Sequence, residues 1–404
     1  MSAIPAAISL RVTEYTKVKC KGEVGFIFGR RTIGSFLVKR LDGKQLSAGI
    51  SYKKLKLIAK RKTYITERRE IALSPRSWSL GTRKQARGIG AMFLMMKVVS
   101  VINYKGGVGK TTLTANLGAY AAVMGRRVLL VDLDPQTQLT FSFMLPEEWK
   151  DKYAANKTLN NYFEAITRGE FIPPSLSRFL IPINNWDALK LDNDKFDLIS
   201  SHLRLIDMDI KLSGMINVTN SQMWAATALR TYSYLRNSLE ELRDDYDLAL
   251  IDCPPNFGVS VKNALFASDY YIIPAKLDYL SMLGIENLED NVKIFRRECE
   301  GHINTLNDER YRPLQLSLLG VVPTMVNITK GDEPLAVQRE YMYEIKNRGY
   351  YIYQFIRNNG SVFGRAPYEG VPAVLTRPRF NLTAKKIVRE LQELGEEFLR
   401  SIDA

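Results

Sequence analysis

From residue 97 onward the apolar positions of the chain alternate between two patterns. Short aliphatic, largely β-branched runs lie within Val98–Ile102, Gly125–Asp134, Tyr246–Asp252, Tyr270–Pro274 and Leu318–Met325; each has strand length and predicts a buried strand. Longer stretches between them place apolar residues at helical spacing, the first beginning at Thr111 and running through Leu-Thr-Ala-Asn-Leu-Gly-Ala-Tyr-Ala-Ala. Residues 146–245 are mostly helical in pattern, with one strand candidate at Phe196–Ser200. Thr383–Leu399 predicts an amphipathic helix with Ile387, Val388, Leu391, Leu394 and Phe398 on one face. Core packing is the simpler reading of such a stripe, and membrane anchoring the competing one. Strands and helices in this alternation predict an α/β fold, a doubly wound, mainly parallel sheet with helices on both faces and right-handed crossovers.

Before residue 96 the pattern changes. Lys21–Gly29 and Gly34–Gly43 are short strand signals separated by glycines, so residues 1–62 predict a small β-rich module. Residues 63–95 have little periodicity and read as a linker or disorder. Met96 directly precedes the first α/β strand and is a plausible natural start. The first 95 residues are thus open between a genuine domain, a fusion and a misassigned start.

Composition sharpens that division. The chain has 404 residues and a net charge of +14, yet residues 1–95 hold 21 Lys and Arg against 5 Asp and Glu, leaving −2 for the remainder. A basic excess confined to one end suggests a nucleic-acid contact or a basic appendage. Lys53, Lys54, Lys56, Arg61 and Lys62 are the phosphate contacts on the first reading and a solvated surface on the second. Cys20, Cys253 and Cys299 have neither metal-ligand nor disulfide spacing, which fits a reducing cytoplasm. No apolar run approaches membrane-spanning length, and no secretory signal pattern opens the chain.

The chemistry is concentrated at residues 98–112. A strand is followed by the glycine-rich turn Tyr104–Gly109, then Lys110-Thr111, then a helix, the context that gives a P-loop match its meaning. Gly106, Gly107 and Gly109 let backbone N–H groups surround phosphate oxygens at a helix N-terminus. Lys110 would reach the β- and γ-phosphates, and the Thr111 hydroxyl would ligate Mg²⁺.

Lys105-Gly-Gly-Val-Gly-Lys-Thr-Thr112 resembles the deviant Walker A motif of the ParA/MinD family of P-loop ATPases, with Lys105 as its extra signature lysine. Val131-Asp-Leu-Asp-Pro-Gln136, Leu248-Ala-Leu-Ile-Asp-Cys-Pro-Pro255 and Ala366-Pro-Tyr-Glu-Gly-Val-Pro372 resemble three further family motifs, in the family's order. The likeness covers about residues 97–400 and is nearest to the ParA-type partition ATPases. It implies that Lys105, Gly106, Gly107, Val108, Gly109, Lys110, Thr111 and Thr112 line the nucleotide and that Asn327 contacts adenine, although the local Thr-Met-Val-Asn departs from the commoner Thr-Met-Tyr-Asp. It also implies that Asp252 holds Mg²⁺ with support from Asp132, and that Asp134 positions the attacking water. Lys105 would cross the interface of an ATP-sandwiched homodimer, acting there like an arginine finger.

By the same resemblance the ATP dimer binds DNA without sequence preference. Candidate phosphate contacts are Lys293, Arg296 and Arg297 on one helix, with Lys346, Arg348 and Arg357 nearer the C-terminus; such contacts are salt-dependent. The implied function is a cytoplasmic, nucleoid-associated ATPase that segregates plasmid or chromosome DNA, or positions other cargo, under stimulation by a ParB-like activator. Two alternatives stand beside it. One is a MinD-like membrane-associated positioning ATPase, although the last helix lacks a basic face. The other is a metabolic ATP-dependent ligase or synthetase on the same fold, against which Lys105 and the Asp134-Pro-Gln stretch argue. Tyr341, Tyr343, Tyr350, Tyr351 and Tyr353 cluster before the last helix, where they read as core and surface aromatics rather than the tail of a tyrosine kinase.

Overall fold

A computed structural model describes residues 95–404, apart from 169–173, 184–194, 217–219, 309, 365–369, 377, 379–380 and 404, together with the backbone of four earlier strands. The chain divides into two compact units, Met1–Leu73 and Ser74–Ala404. In the first, β1 (Thr16–Cys20), β2 (Glu23–Arg30), β3 (Phe36–Arg40) and β4 (Gln45–Leu46) pair antiparallel in chain order. The basic stretch 53–62 and the expected linker up to residue 94 lie outside the described residues.

The second unit is built on a seven-stranded sheet. Its strands are β5 (Lys97–Val101), β6 (Val128–Asp132), β7 (Ile181–Pro182), β8 (Phe196–Ile199), β9 (Leu248–Asp252), β10 (Tyr270–Lys276) and β11 (Ser317–Thr324), in the order β11-β10-β5-β9-β6-β8-β7. Every neighbouring pair is parallel except β7 with β8. β6 and β9 are buried along their whole length, which is why they read as unbroken apolar runs ending in an acid. The two-residue edge strand β7 is too short to show as a pattern.

Helices cover both faces: α1 (Lys110–Val123), α2 (Leu159–Thr167), α3 (Leu205–Ile216), α4 (Ser221–Tyr232), α5 (Val259–Ala267), α6 (Tyr279–Leu306), α7 (Ala336–Asn347) and α8 (Leu382–Asp403). The period-2 alternation of each strand divides the core between two layers. Val99, Val101, Leu130 and Leu250 pack with Leu113 and Leu117 of α1 and Phe398 of α8. Val98, Leu129, Val131 and Ile251 pack with Tyr162, Leu212, Leu229, Leu265 and Phe295 from the helices of the other face.

Two glycines set how closely α1 sits. A Cβ at Gly118 would stand 2.6 Å from Leu130 Cδ2, and one at Gly395 would stand 2.3 Å from Tyr120 Cδ1, so α1 lies tight against both the sheet and α8. Ile387, Leu391, Leu394 and Phe398 of α8 are buried in that layer, while Val388 is half-buried. The stripe read from the sequence is core packing, and the apolar face a membrane anchor would need is covered. No described helix is long and apolar enough to cross a membrane. Among the tyrosines, Tyr353 is buried and Tyr343 and Tyr351 are exposed, a mixture of core and surface.

Candidate functional site

Parallel pairing brings the C-terminal ends of β5, β6, β9, β10 and β11 to one edge of the sheet, and the loop that follows β5 leads into α1. This crevice is where α/β sheets bind ligands. Gly107 and Gly109 adopt φ of +65° and +85°, a left-handed backbone that side-chain-bearing residues rarely take. Gly109 is the N-cap of α1; no side chain caps this end and the first turn has no acid, so its N–H groups and dipole face the crevice. Asn103 braces the loop: its Oδ1 accepts from Lys105 N at 2.9 Å and its Nδ2 donates to Pro274 O at 2.8 Å. At the other end Thr324 Oγ1 donates to Val108 O at 2.7 Å, which joins β11 to the loop.

Lys110 folds back over the loop. Its Nζ donates to Asn103 O at 3.1 Å and Lys105 O at 3.4 Å, and the residue is only 6% exposed. Burial draws its pKa down, opposed by the Asp252 and Asp134 carboxylates. An ammonium held this way by carbonyl oxygens is poised to exchange them for phosphate oxygens.

Asp252 ends β9 with no solvent exposure. Its Oδ2 accepts from Thr111 Oγ1 at 2.7 Å and its Oδ1 from Thr114 Oγ1 at 3.3 Å. Burial pushes its pKa up to about 7; the Thr111 hydroxyl pulls it down and neighbouring Asp134 pushes it further up. Asp132 lies directly across in register on β6 and is also fully buried. Burial and the Asp252 charge hold its carboxyl well above the ordinary range. Thr140 donates to Asp132 Oδ2 through both its N, at 2.9 Å, and its Oγ1, at 2.7 Å, whereas Oδ1 has no partner among the described residues. Asp134 follows on the turn after β6, with Gln136 N donating to its Oδ1 at 2.9 Å.

The Asp252 carboxylate beside the Thr111 hydroxyl, with the unpartnered buried oxygen of Asp132 on the neighbouring strand, offers hard oxygen donors of the kind that suit Mg²⁺. No group of three or more His, Cys, Asp or Glu among the described residues could hold a metal on its own. An ion here would be taken by one or two protein oxygens and completed by phosphates and water.

Lys105 is half-exposed at the rim of the crevice. Its Nζ donates to Asp278 Oδ2 at 2.9 Å, Asp278 Oδ1 at 3.1 Å and Ser281 Oγ at 3.1 Å, so all three protons are engaged within its own chain at the N-cap of α6. Asn327 is exposed three residues beyond Thr324, and its Oδ1 accepts from Asn358 Nδ2 at 3.1 Å. Of the motif at 366–372, only Gly370, Val371 and Pro372 lie within the described residues.

The candidate DNA contacts differ in how free their charges are. Arg357 is a correction. It is buried, its Nε donates to both carboxylate oxygens of Glu390 at 3.0 and 2.9 Å, and it pairs with Asp332 at 3.2 Å. A guanidinium committed to an internal pair has no charge to offer a phosphate. Lys293 is flanked by Glu289 at 3.1 Å and Asp290 at 3.6 Å, and Arg348 pairs with Glu286 and Glu344. Arg296 is half-buried and reaches Leu316 O at 3.5 Å. Arg297 and Lys346 are exposed and make no ion pair among the described residues.

Several supporting residues went unnoticed in the sequence: Asn103, Thr114, Thr140, Ser201, Asp278 and Ser281. The Asp278-x-x-Ser281 spacing ahead of an amphipathic helix is a recognisable cap signal. Thr114 and Ser201 act across long sequence separations, on Asp252 and Asp134, that no local pattern marks.

Residues 96–305 match the family described as AAA domain. The chain is 27% identical over 289 residues to the sporulation initiation inhibitor protein Soj of Bacillus subtilis, covering 70% of this chain and 93% of that protein. Among solved structures it resembles an ATP complex of McdA from Cyanothece, with a TM-score of 0.52 and 20% identity over 76% of this chain and 96% of that one. It also resembles cobyrinic acid a,c-diamide synthase from Mycobacterium smegmatis, solved with an ATP analogue and magnesium. There the TM-score is 0.50 and the identity 23%, over 76% and 96% of the two chains. At such identities these two structures speak for the fold alone.

Proposed function

The chain belongs to the AAA-domain family of ParA/MinD-type P-loop ATPases, and from that premise we propose that it is an ATP-hydrolysing, ATP-dimerising partition protein. The dimer binds DNA without sequence preference and segregates DNA or positions cargo on it, answering to a ParB-like activator. One observation carries this reading: the uncapped N-terminus of α1, Lys110, Thr111, Asp252, Asp132 and Asp134 converge on one edge of the sheet. A relative named chromosome-partitioning ATPase Soj, from Treponema pallidum and 31% identical over 202 residues, supports the step from ATP turnover to partition.

In this reading the loop N–H groups and Lys110 bind and orient the triphosphate. Thr111 and Asp252, with Asp132 beside them, would hold Mg²⁺, which when bound neutralises phosphate charge. Asp134 orients the attacking water by accepting a hydrogen bond from it. Lys105 releases Asp278 and Ser281 and reaches the nucleotide of the partner subunit. Leu203, Ile206 and Ile210, just beyond β8, and Tyr279, Leu280 and Leu283, just beyond β10, are exposed apolar residues in segments that leave this same edge. Burial of such residues between two subunits supplies a driving force for the sandwich.

The test pairs two variants. Lys110→Ala should abolish ATP binding, and Asp134→Ala should bind ATP, fail to hydrolyse it and accumulate as the ATP dimer. Tight binding by the first or normal turnover by the second overturns the assignment. Turnover by the wild type without any small-molecule acceptor separates this reading from a synthetase.

A further inference from the structure

We propose that Thr140 and Ser201 form a clamp that fixes both ends of the turn carrying Asp134, so that they are positioning residues for hydrolysis. The inference rests on the assignment of Asp134 to the attacking water. The turn begins where β6 ends and closes at the short helix Gln138–Phe141. At its start, Ser201 Oγ donates to Asp134 O at 2.6 Å, beside the 2.9 Å bond from Thr137 N to that oxygen. At its end, Ser201 N donates to Thr140 Oγ1 at 3.3 Å, and Thr140 Oγ1 donates its single proton to Asp132 Oδ2 at 2.7 Å. One residue just past β8 thus grips the first residue of the turn directly and the last turn of backbone through Thr140.

The chemistry of the hydroxyls gives this arrangement a direction. The Thr140 proton is committed to a carboxylate, so its oxygen is left to accept, and the Ser201 N–H fills it; each bond polarises the next. Thr140 serves Asp132 Oδ2 twice and leaves Oδ1 alone without a partner among the described residues. The Asp132 carboxylate is therefore anchored through Oδ2, and it interacts electrostatically with both Asp252 and Asp134. Thr140 and Ser201 have no solvent exposure, and Asp134 retains 8%. A water-orienting carboxylate displaced by about 1 Å can cost on the order of 100-fold in rate, which gives a buried clamp on its backbone a purpose beyond satisfying polar groups.

Thr140→Val keeps the volume and the backbone N–H but removes the hydroxyl; Thr140→Ser restores it; Ser201→Ala releases the start of the turn. The full chain is assayed with Mg²⁺ and ATP for turnover and separately for ATP affinity, beside wild type and Asp134→Ala. The expected result for Thr140→Val and Ser201→Ala is a fall in kcat of roughly 10–100-fold with ATP affinity within about twofold of wild type, and recovery in Thr140→Ser. Thr140→Val and Ser201→Ala turning over like wild type while Asp134→Ala is inactive would overturn the clamp and leave the site assignment standing. Asp134→Ala turning over like wild type would overturn both. Should Thr140→Val fail to fold, Ser201→Ala and Thr140→Ser decide alone: an unchanged kcat in Ser201→Ala counts against the clamp.

Discussion

The crowding of Asp252, Asp132 and Asp134 makes a quantitative claim about stability, because a site built for a cation is costly to leave without one. Asp252→Asn keeps the side chain's shape and leaves Thr111 and Thr114 with partners, while removing the buried charge. The Asp252 pKa rises from 3.8 to about 7, chiefly through burial. At about 1.4 kcal/mol per unit, ionising this carboxylate in the fold costs about 4 kcal/mol at pH 8. That shift already contains the repulsion from Asp134 and the attraction to Lys110, so a net gain of about 2–4 kcal/mol is expected for the variant. The sign follows from the raised pKa. The neutral form's advantage is present in full below about 3.8 and is lost as pH rises through about 7, so the wild type is most penalised above neutrality. Urea unfolding of both proteins in EDTA, without nucleotide, should show the variant more stable at pH 8 and the gap reduced to less than about 2 kcal/mol at pH 5. Adding Mg²⁺ and ATP should stabilise the wild type more than the variant. A variant no more stable than wild type at pH 8, or a gap that does not shrink on acidification, would mean that the buried Asp252 charge is not what limits stability.

Two further predictions concern the frame around the site. Gly395→Ala places a methyl group 2.3 Å from the Tyr120 ring, so α8 must shift away from α1; thermal unfolding should show a loss of about 1–3 kcal/mol. Glu390→Ala leaves the Arg357 guanidinium buried with only the half-exposed Asp332 to balance it, and should cost about 3 kcal/mol in urea unfolding. Asp332→Ala, which removes the exposed partner, should cost less than about 1 kcal/mol. Equal losses in those two variants would mean that Arg357 is not held chiefly by Glu390.

Much of the α/β unit was legible because its strands are buried on both faces and therefore read as apolar runs that end in the acids of the site. Val128–Asp132 and Leu248–Asp252 needed no partner to be recognised. Lys110, Thr111 and the glycines were legible for a related reason: one loop must supply φ angles, N–H groups and an ammonium within a few residues. Arg357 was not, because a buried arginine and an exposed one look alike until Glu390, 33 residues away, is known to face it. Ser201 was hidden for the same cause, since its partner Asp134 lies 67 residues earlier. Lys105 falls between these cases: its motif marked it as special, but the Asp278 and Ser281 that occupy it here are visible only in the fold.

ATP-dependent partition stands or falls on binding of the full chain to unrelated DNA duplexes, measured with ATP, with ADP and without nucleotide, across a salt series. Binding should occur only with ATP, be equal for every duplex and fall steeply as salt rises. Binding that is indifferent to nucleotide, or absent under all three conditions, would rule out an ATP-switched DNA-binding dimer.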